Sequence, residues 1–228
     1  MKSMRTLLLS GMILVLALNA GADTQAFTIV NDSQLNTIIA QARANFLAAK
    51  PYITRLDATI LVPGSNGTWK RGSYNSDTIN YPASCVKLPY MAAAMYWCRT
   101  NGKAYNYLDW CVRPMIVSSD NVKTGDTVDQ ITGAPNYSTS TYNSTFWTWY
   151  NKRLYTENFL SARGLLENQT MMHKTYPTNS GSSPSGAELL ASNHRGGNKM
   201  QPKCSASLML EIIKGAMEPG ANAYMREL

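Results

Sequence analysis

The sequence predicts an α+β protein in which a helix and a β-hairpin precede a mostly helical region. Apolar residues recur at helical spacing over 35–46, directly after an Asp32-Ser33 pair that is typical of a helix N-cap. Two β-branched or aromatic runs then flank a Gly-Ser-Asn-Gly turn at 64–67, which indicates a hairpin. No apolar strand is predicted after Ser119, so we expect helices in the rest of the chain.

Each element has its own signal. The first helix ends at Pro51, and the hairpin strands cover 58–62 and 68–74. The next helix carries Ser84 and ends near Thr100, before Asn101-Gly102. It has almost no polar face, which indicates protein on all sides. Further helices are predicted over 108–117 with a break at Pro114, over 122–131, within 148–166 and from Gln201 onward, and 136–149 is predicted to be a surface connection.

The composition indicates an exported globular protein. Lys2, Arg5, the apolar stretch 7–18 and the small residues at 20–22 predict a signal peptide over 1–22, followed by one domain over 23–228. Without Lys2 and Arg5, 19 basic residues remain against 14 acidic ones, so the formal charge falls from +7 to +5. This modest charge and the lack of a basic cluster with interleaved aromatic residues argue against nucleic acid. We expect a secreted or periplasmic monomer with no membrane span after cleavage.

The cysteines suggest a disulfide but no metal site. There is no Cys-x-x-Cys, and His173 and His194 lack the spacing of paired ligands, so no cofactor is expected. Cys98 falls at the end of one predicted helix and Cys111 in the next, and we predict that they form a disulfide. The alternative is two buried thiols. All four cysteines lie in the exported part: Cys85, Cys98, Cys111 and Cys204.

Ser84 and Lys87 form the only Ser-x-x-Lys of the chain. Residues three apart share a face of a helix. A serine hydroxyl is a poor nucleophile at neutral pH and needs a base within hydrogen-bond reach. A lysine whose pKa is lowered by burial can be that base. The alternative is a capped helix with a surface lysine.

A second motif, Ser119-Asp120-Asn121, follows 35 positions after Ser84. Together the two motifs resemble those of the penicillin-recognising serine hydrolases, and most of all class A β-lactamases. Pro89 and the Met-Ile-Val run at 115–117 also match the class A pattern. The alternative for the triplet is an ordinary N-cap, because Ser, Asp and Asn all cap helices.

The resemblance implies an all-helical subdomain beside an antiparallel-sheet subdomain, and a β-lactamase that forms an acyl-enzyme on Ser84. Lys87 would activate Ser84, Ser119 would pass a proton to the leaving nitrogen, Asn121 would bind the substrate amide and Asp120 would hold the loop. The alternatives are a D-Ala-D-Ala carboxypeptidase or transpeptidase and a non-catalytic β-lactam-binding homologue. The expected partner is a small-molecule β-lactam or a cell-wall peptide.

Parts of the family pattern are displaced or missing. The family's Lys-Thr-Gly lies on a strand near the C-terminus, whereas Lys123-Thr124-Gly125 lies in a helical pattern. No closing strands are found before Leu228, which predicts that the C-terminal strands are truncated. The family's deacylating glutamate has two candidate positions, Glu157 and Tyr176. The favoured register places Tyr176 there and predicts slow deacylation, because tyrosine is a poor base at neutral pH.

Overall fold

The computed structural model describes residues 26–167, 169–174 and 183–228, so the predicted signal peptide and Tyr176 lie outside the described residues. The strands are β1 (Ile29–Asn31), β2 (Ala58–Pro63) and β3 (Trp69–Tyr74). The helices are α1 (Ser33–Ala49), α2 (Lys87–Thr100), α3 (Asp109–Val117), α4 (Asn121–Thr132), α5 (Ser144–Arg153), α6 (Tyr155–Ala162), α7 (Gly186–Arg195), α8 (Pro202–Lys214) and α9 (Asn222–Glu227).

The three strands form one small sheet in the order β1-β3-β2. The predicted hairpin is confirmed, with β2 antiparallel to β3 and Ile60 opposite Gly72. The parallel strand β1 was not predicted, because three residues are too few to show a periodic pattern. Helix α1 packs against β3, and a Cβ at Gly72 would lie 2.5 Å from the Cβ of Leu35. Only glycine therefore allows this close approach of helix and sheet.

Helix α2 is the centre of the main core. As predicted, it has no solvent face over most of its length: Tyr90 to Met95 are all less than 2% exposed. Helices α3, α4 and α6 pack against it. It ends at the predicted place, where Asn101 is the C-cap and Gly102 has a positive φ of 63°. The burial of so many side chains makes α2 the main source of hydrophobic stabilisation in this region.

The helices after α4 differ most from the prediction. The segment 136–149 is not all surface connection, because α5 begins at Ser144 with the Asn143 side chain as its N-cap. Helices α5 and α6 are separate rather than one helix. Helix α7 was not predicted, and it packs against α5 around Phe146 and Trp149. Aromatic residues on a short helix give a weak period, so this second core was not visible in the pattern.

Pro114 does not break α3. It lies inside the helix, and its carbonyl oxygen accepts hydrogen bonds from the amides of Ser118 and Asp120, each at 3.1 Å. These two bonds satisfy a carbonyl that the helix end would otherwise leave unpaired. The proline therefore lies in the last turn of α3, and the predicted break of the helix at Pro114 is wrong.

The predicted disulfide between Cys98 and Cys111 is also wrong. All four cysteines are free thiols, and these two are buried in the core around α2. The Cys111 thiol donates to the Leu108 carbonyl oxygen at 3.3 Å. Burial raises the pKa of Cys98 to about 11, which keeps the thiol protonated. Both side chains therefore act as small apolar groups in a packed core.

A buried guanidinium joins α4, α5 and α7. Arg153 on α5 is 0% exposed. Its Nη2 lies 3.0 Å from an Asp129 carboxylate oxygen on α4 and 2.9 Å from a Glu188 carboxylate oxygen on α7. Its remaining nitrogens donate to the carbonyl oxygens of Ala134 and Met172. A charge buried this deeply needs all of these partners.

Within the part of the chain that the structure covers, no helix is both long enough and apolar enough to cross a membrane. The arrangement into two β-lactamase-like subdomains, with truncated C-terminal strands, stays a prediction. Described residues after β3 include two isolated bridges, Asn80 with Met200 and Thr170 with Lys199, but no further strand.

Replacing Arg153 with Ala should lower the free energy of unfolding by about 3–5 kcal/mol, because Glu188 would keep a buried carboxylate without its guanidinium. Urea denaturation followed by circular dichroism measures the change. The matched control is Arg113→Ala, whose ion pair with Asp109 is 40% exposed and should contribute less than about 1 kcal/mol. Equal losses in the two variants would contradict the assigned role of Arg153.

Candidate functional site

Ser84 lies immediately before the buried helix α2. It belongs to a 3₁₀ turn, Ala83–Val86, and Lys87 is the first residue of α2. The sequence predicted that the α-helix carries Ser84, but Ser84 lies in the turn before that helix. A 3₁₀ turn has three residues per turn, so side chains three apart eclipse each other. For this reason the two side chains still point the same way.

The second motif reaches the same place from the connection between α3 and α4. Ser119 lies in this connection, and Asn121 opens α4. The Asp120 side chain is the N-cap of α4 and accepts a hydrogen bond from the Lys123 amide at 3.0 Å. This is the N-cap that the sequence analysis gave as the alternative for the triplet, and the loop-holding role of Asp120 stays a prediction. The capped beginning of α4 thus directs Ser119 and Asn121 toward α2.

The structure brings Ser84, Lys87, Ser119 and Asn121 together. The Lys87 Nζ lies 3.1 Å from the Ser84 Oγ, 2.8 Å from the Ser119 Oγ and 2.9 Å from the Asn121 Oδ1. It also lies 2.5 Å from the Ser119 carbonyl oxygen. The two serine oxygens are 3.0 Å apart. Each of the two hydroxyls can therefore exchange a proton with Lys87 or with the other hydroxyl.

Lys87 has more oxygen neighbours than a lysine has protons to donate. An ammonium carries three N–H groups, and four oxygens surround this nitrogen. Two of them, the Asn121 Oδ1 and the Ser119 carbonyl oxygen, can only accept. The other two are hydroxyls that can donate. A neutral amine fits this set without a missing bond: its two N–H groups donate to the carbonyl oxygens and its lone pair accepts from a serine hydroxyl.

Burial supports the neutral form of Lys87. The side chain is 3% exposed, and burial lowers its pKa below the ordinary 10.5, while the nearby charge of Asp120 partly opposes that shift. Ser84 and Ser119, in contrast, are exposed to solvent. The arrangement therefore pairs a shielded base with two hydroxyls that a substrate can reach.

The backbone is strained on both sides of the cluster. Among the described residues, four that are not glycine have a positive φ. Asn66 and Asn75 are of the type that tolerates this conformation, but Ala83, at 46°, and Ser119, at 53°, are not. Strained residues often mark functional sites. Here they are the residue before Ser84 and the Ser119 of the cluster itself.

The remaining sequence candidates lie elsewhere or have other partners. The Glu157 carboxylate accepts from the Met171 amide at 3.0 Å and pairs with Arg195 at 2.7 Å, so both of its oxygens are engaged in the core. Tyr176 lies outside the described residues. Lys123 pairs with Asp126 on α4 at 2.9 Å, as expected for a triplet within a helix. In the described ranges, no three His, Cys, Asp or Glu side chains are grouped to hold a metal ion.

Sequence reasoning missed one segment that supports the site. Tyr90, one turn after Lys87, donates to the His173 carbonyl oxygen at 2.5 Å. The aliphatic part of Lys174 lies against Gly125, one turn into α4. Residues 173–174 therefore pack behind both helices that carry the cluster. A glycine in the middle of a helix is the one sequence signal of this close approach.

Comparison with known proteins shows that this chain is similar to Golvesin. Golvesin from Dictyostelium discoideum is 35% identical to it over 205 residues. The match covers 89% of this chain, and the chain spans 35% of the length of Golvesin. No family model and no solved structure matches the chain.

The match to Golvesin overturns the resemblance to class A β-lactamases. The predicted family is wrong, and so are β-lactam hydrolysis and its penicillin-binding alternatives. The physical reason is the small extent of the motifs. Ser-x-x-Lys and Ser-Asp-Asn define a turn and a helix cap, which many folds can provide, whereas the match to Golvesin extends over most of the chain.

Replacing Ala83 with Gly should raise the free energy of unfolding by about 0.5–1 kcal/mol. Glycine removes a positive-φ strain of about 1–2 kcal/mol, and its greater freedom in the unfolded chain offsets part of the gain. Denaturant titration measures the change. The control is Ala104→Gly at an ordinary φ of −62°, which should lose stability. A loss of stability in Ala83→Gly would show that the strain is not there.

Proposed function

We propose that the chain is a serine hydrolase in which Ser84 attacks an ester or amide carbonyl. The observation that carries this proposal is the buried Lys87 nitrogen within hydrogen-bond distance of two exposed serine hydroxyls. A serine and a base in contact, with further groups that orient the base, form the arrangement needed for nucleophilic catalysis. The proposal concerns this reaction class.

In the proposed acylation step, Lys87 acts in its neutral form. The Ser84 hydroxyl gives its proton to the Lys87 Nζ, directly or through the Ser119 hydroxyl, while the Ser84 Oγ bonds to the carbonyl carbon. The bond from that carbon to the leaving oxygen or nitrogen then breaks. Ser119 contacts both other groups and can return the proton to the leaving atom. Water hydrolyses the acyl-serine in the second half of the reaction.

Asn121 and the Ser119 carbonyl oxygen keep the base in place. Both accept hydrogen bonds from the Lys87 Nζ, at 2.9 Å and 2.5 Å. With both N–H groups of the neutral amine engaged in this way, its lone pair is left for the hydroxyls. We infer that Asn121 orients Lys87 in addition to its predicted contact with the substrate. Such positioning contributes to rate because the groups need no rearrangement during the reaction.

We also propose that the chain is exported, by a secretory signal over 1–22. The support is the order of basic residues, an apolar stretch and small residues in the sequence. Expression of the full chain in a secreting host should give a mature protein that begins at Asp23. N-terminal sequencing checks this, and a retained Met1 on protein recovered outside the cell would contradict it.

The main test of the hydrolase proposal is covalent labelling. A fluorophosphonate probe reacts with activated serines and leaves a stable phosphonyl group on the attacking oxygen. The wild-type chain should label on Ser84, and Ser84→Ala should not label. Lys87→Met should slow labelling by several orders of magnitude, because the nucleophile loses its base. Intact-mass and peptide mass spectrometry give the extent and the position of the label.

Ser118→Ala is the matched control, since Ser118 is exposed and directly precedes Ser119. It should label like the wild type. The labelling rate should rise with pH as Lys87 loses its proton, with a midpoint below the ordinary pKa of 10.5. Label on other serines, or a rate independent of Lys87, would overturn the proposal.

A further inference from the structure

A cavity opens on the surface between α5 and the segment 133–137, with a volume of about 360 Å³. On the α5 side, Thr145, Thr148 and Lys152 lie three or four residues apart and so share one helix face. None of its lining residues belongs to the cluster of Ser84, Lys87 and Ser119. The volume falls in the range of small-molecule sites, about 300–1,000 Å³.

The walls of this cavity are held in place from both sides. The Trp149 indole N–H lies 2.9 Å from the carbonyl oxygens of both Ala134 and Pro135. The Arg153 Nε donates to the Ala134 carbonyl oxygen at 2.7 Å. The neighbouring Asn136 side chain bonds the beginning of α7, donating at 3.1 Å and accepting at 3.0 Å. The cavity therefore needs no ligand to keep its shape.

The charge of the lining is positive. Among the described residues, Lys152 is the one charged side chain of the lining, and no carboxylate lines the cavity. Across the described ranges, the Lys152 ammonium forms no ion pair or hydrogen bond, and the side chain is exposed. Most other lysines near acidic residues are paired, such as Lys174 with Asp129 at 2.6 Å. An unpaired ammonium at a cavity favours an anionic group.

The polar groups of the lining are mostly hydroxyls. Ser144, Thr145 and Thr148 lie along α5, and Tyr137 lies opposite. The Tyr137 phenol oxygen is shielded from solvent and has no hydrogen-bond partner among the described groups. A buried polar group without a partner is rare in native proteins. Since this oxygen has no exposed surface, the hydroxyls that a ligand can reach are those of Ser144, Thr145 and Thr148.

We propose that this cavity binds a small hydroxylated organic anion, of the class of sugar acids and sugar phosphates. Lys152 pairs with the anionic group, and the hydroxyls of Ser144 and Thr145 bond the ligand's oxygens. The site is independent of the proposed hydrolase reaction, because the two share no residue.

The test uses D-glucuronate and D-glucose 6-phosphate as probes, with D-glucose as the neutral comparison and D-glucosamine as the cationic one. Proton–nitrogen NMR spectra of the ¹⁵N-labelled protein report binding through the Trp149 indole N–H at the cavity wall. Both anions should shift this signal in a saturable way. Glucose and glucosamine should bind at least about tenfold more weakly, since they lack a charge-assisted bond.

Four variants locate the binding. Lys152→Gln should weaken both anions about tenfold, whereas Lys50→Gln, at an exposed lysine beside α1, should change nothing. Thr148→Trp should fill the cavity and abolish binding. Ser84→Ala should bind like the wild type. The proposal is overturned if neither anion gives a saturable shift, if glucose binds equally well, or if Lys152→Gln keeps the wild-type affinity.

Discussion

The burial of α2 is the constraint on which most of this structure depends. A helix with no polar face must be covered on every side, and the neighbouring helices α3, α4 and α6 provide that cover. The same packing brings the beginning of α4 beside the beginning of α2. The need to bury the apolar side chains of α2 therefore also sets the surroundings of its first residue, Lys87. The core shields Lys87 from solvent, while Ser84, three residues earlier, remains exposed.

Lys87 shows how a protein can keep a lysine buried without an ion pair. Within the described part of the chain, no carboxylate is among its hydrogen-bond partners; four neutral oxygens surround the nitrogen instead. Such an environment stabilises a neutral amine better than it stabilises an ammonium, because nothing balances the positive charge except the more distant Asp120. Arg153 is the opposite case. It is equally buried, always charged and surrounded by carboxylates.

Local signals predicted the parts of this molecule that depend on local chemistry. The hairpin, the C-terminal end of α2 and the Asp120 cap all follow from turn residues and caps, whereas the meeting of Ser84 with Ser119 was expected only from the family resemblance. The missed features depend on distant contacts: β1 needs β3 as a partner, α7 needs the aromatic face of α5, and Cys98 packs as an apolar group. The family was mistaken for a related reason, since two local motifs say little about the rest of a chain.

The guanidinium of Arg153 also fixes how three helices are aligned along their axes. Sliding α4 or α7 by one residue would move its carboxylate by about 1.5 Å. That shift is enough to break a contact of 2.9–3.0 Å, and the fully buried guanidinium cannot turn to solvent for a replacement. Apolar packing tolerates small sliding, but this charged junction does not. It therefore holds α4, α5 and α7 in a single register along their axes.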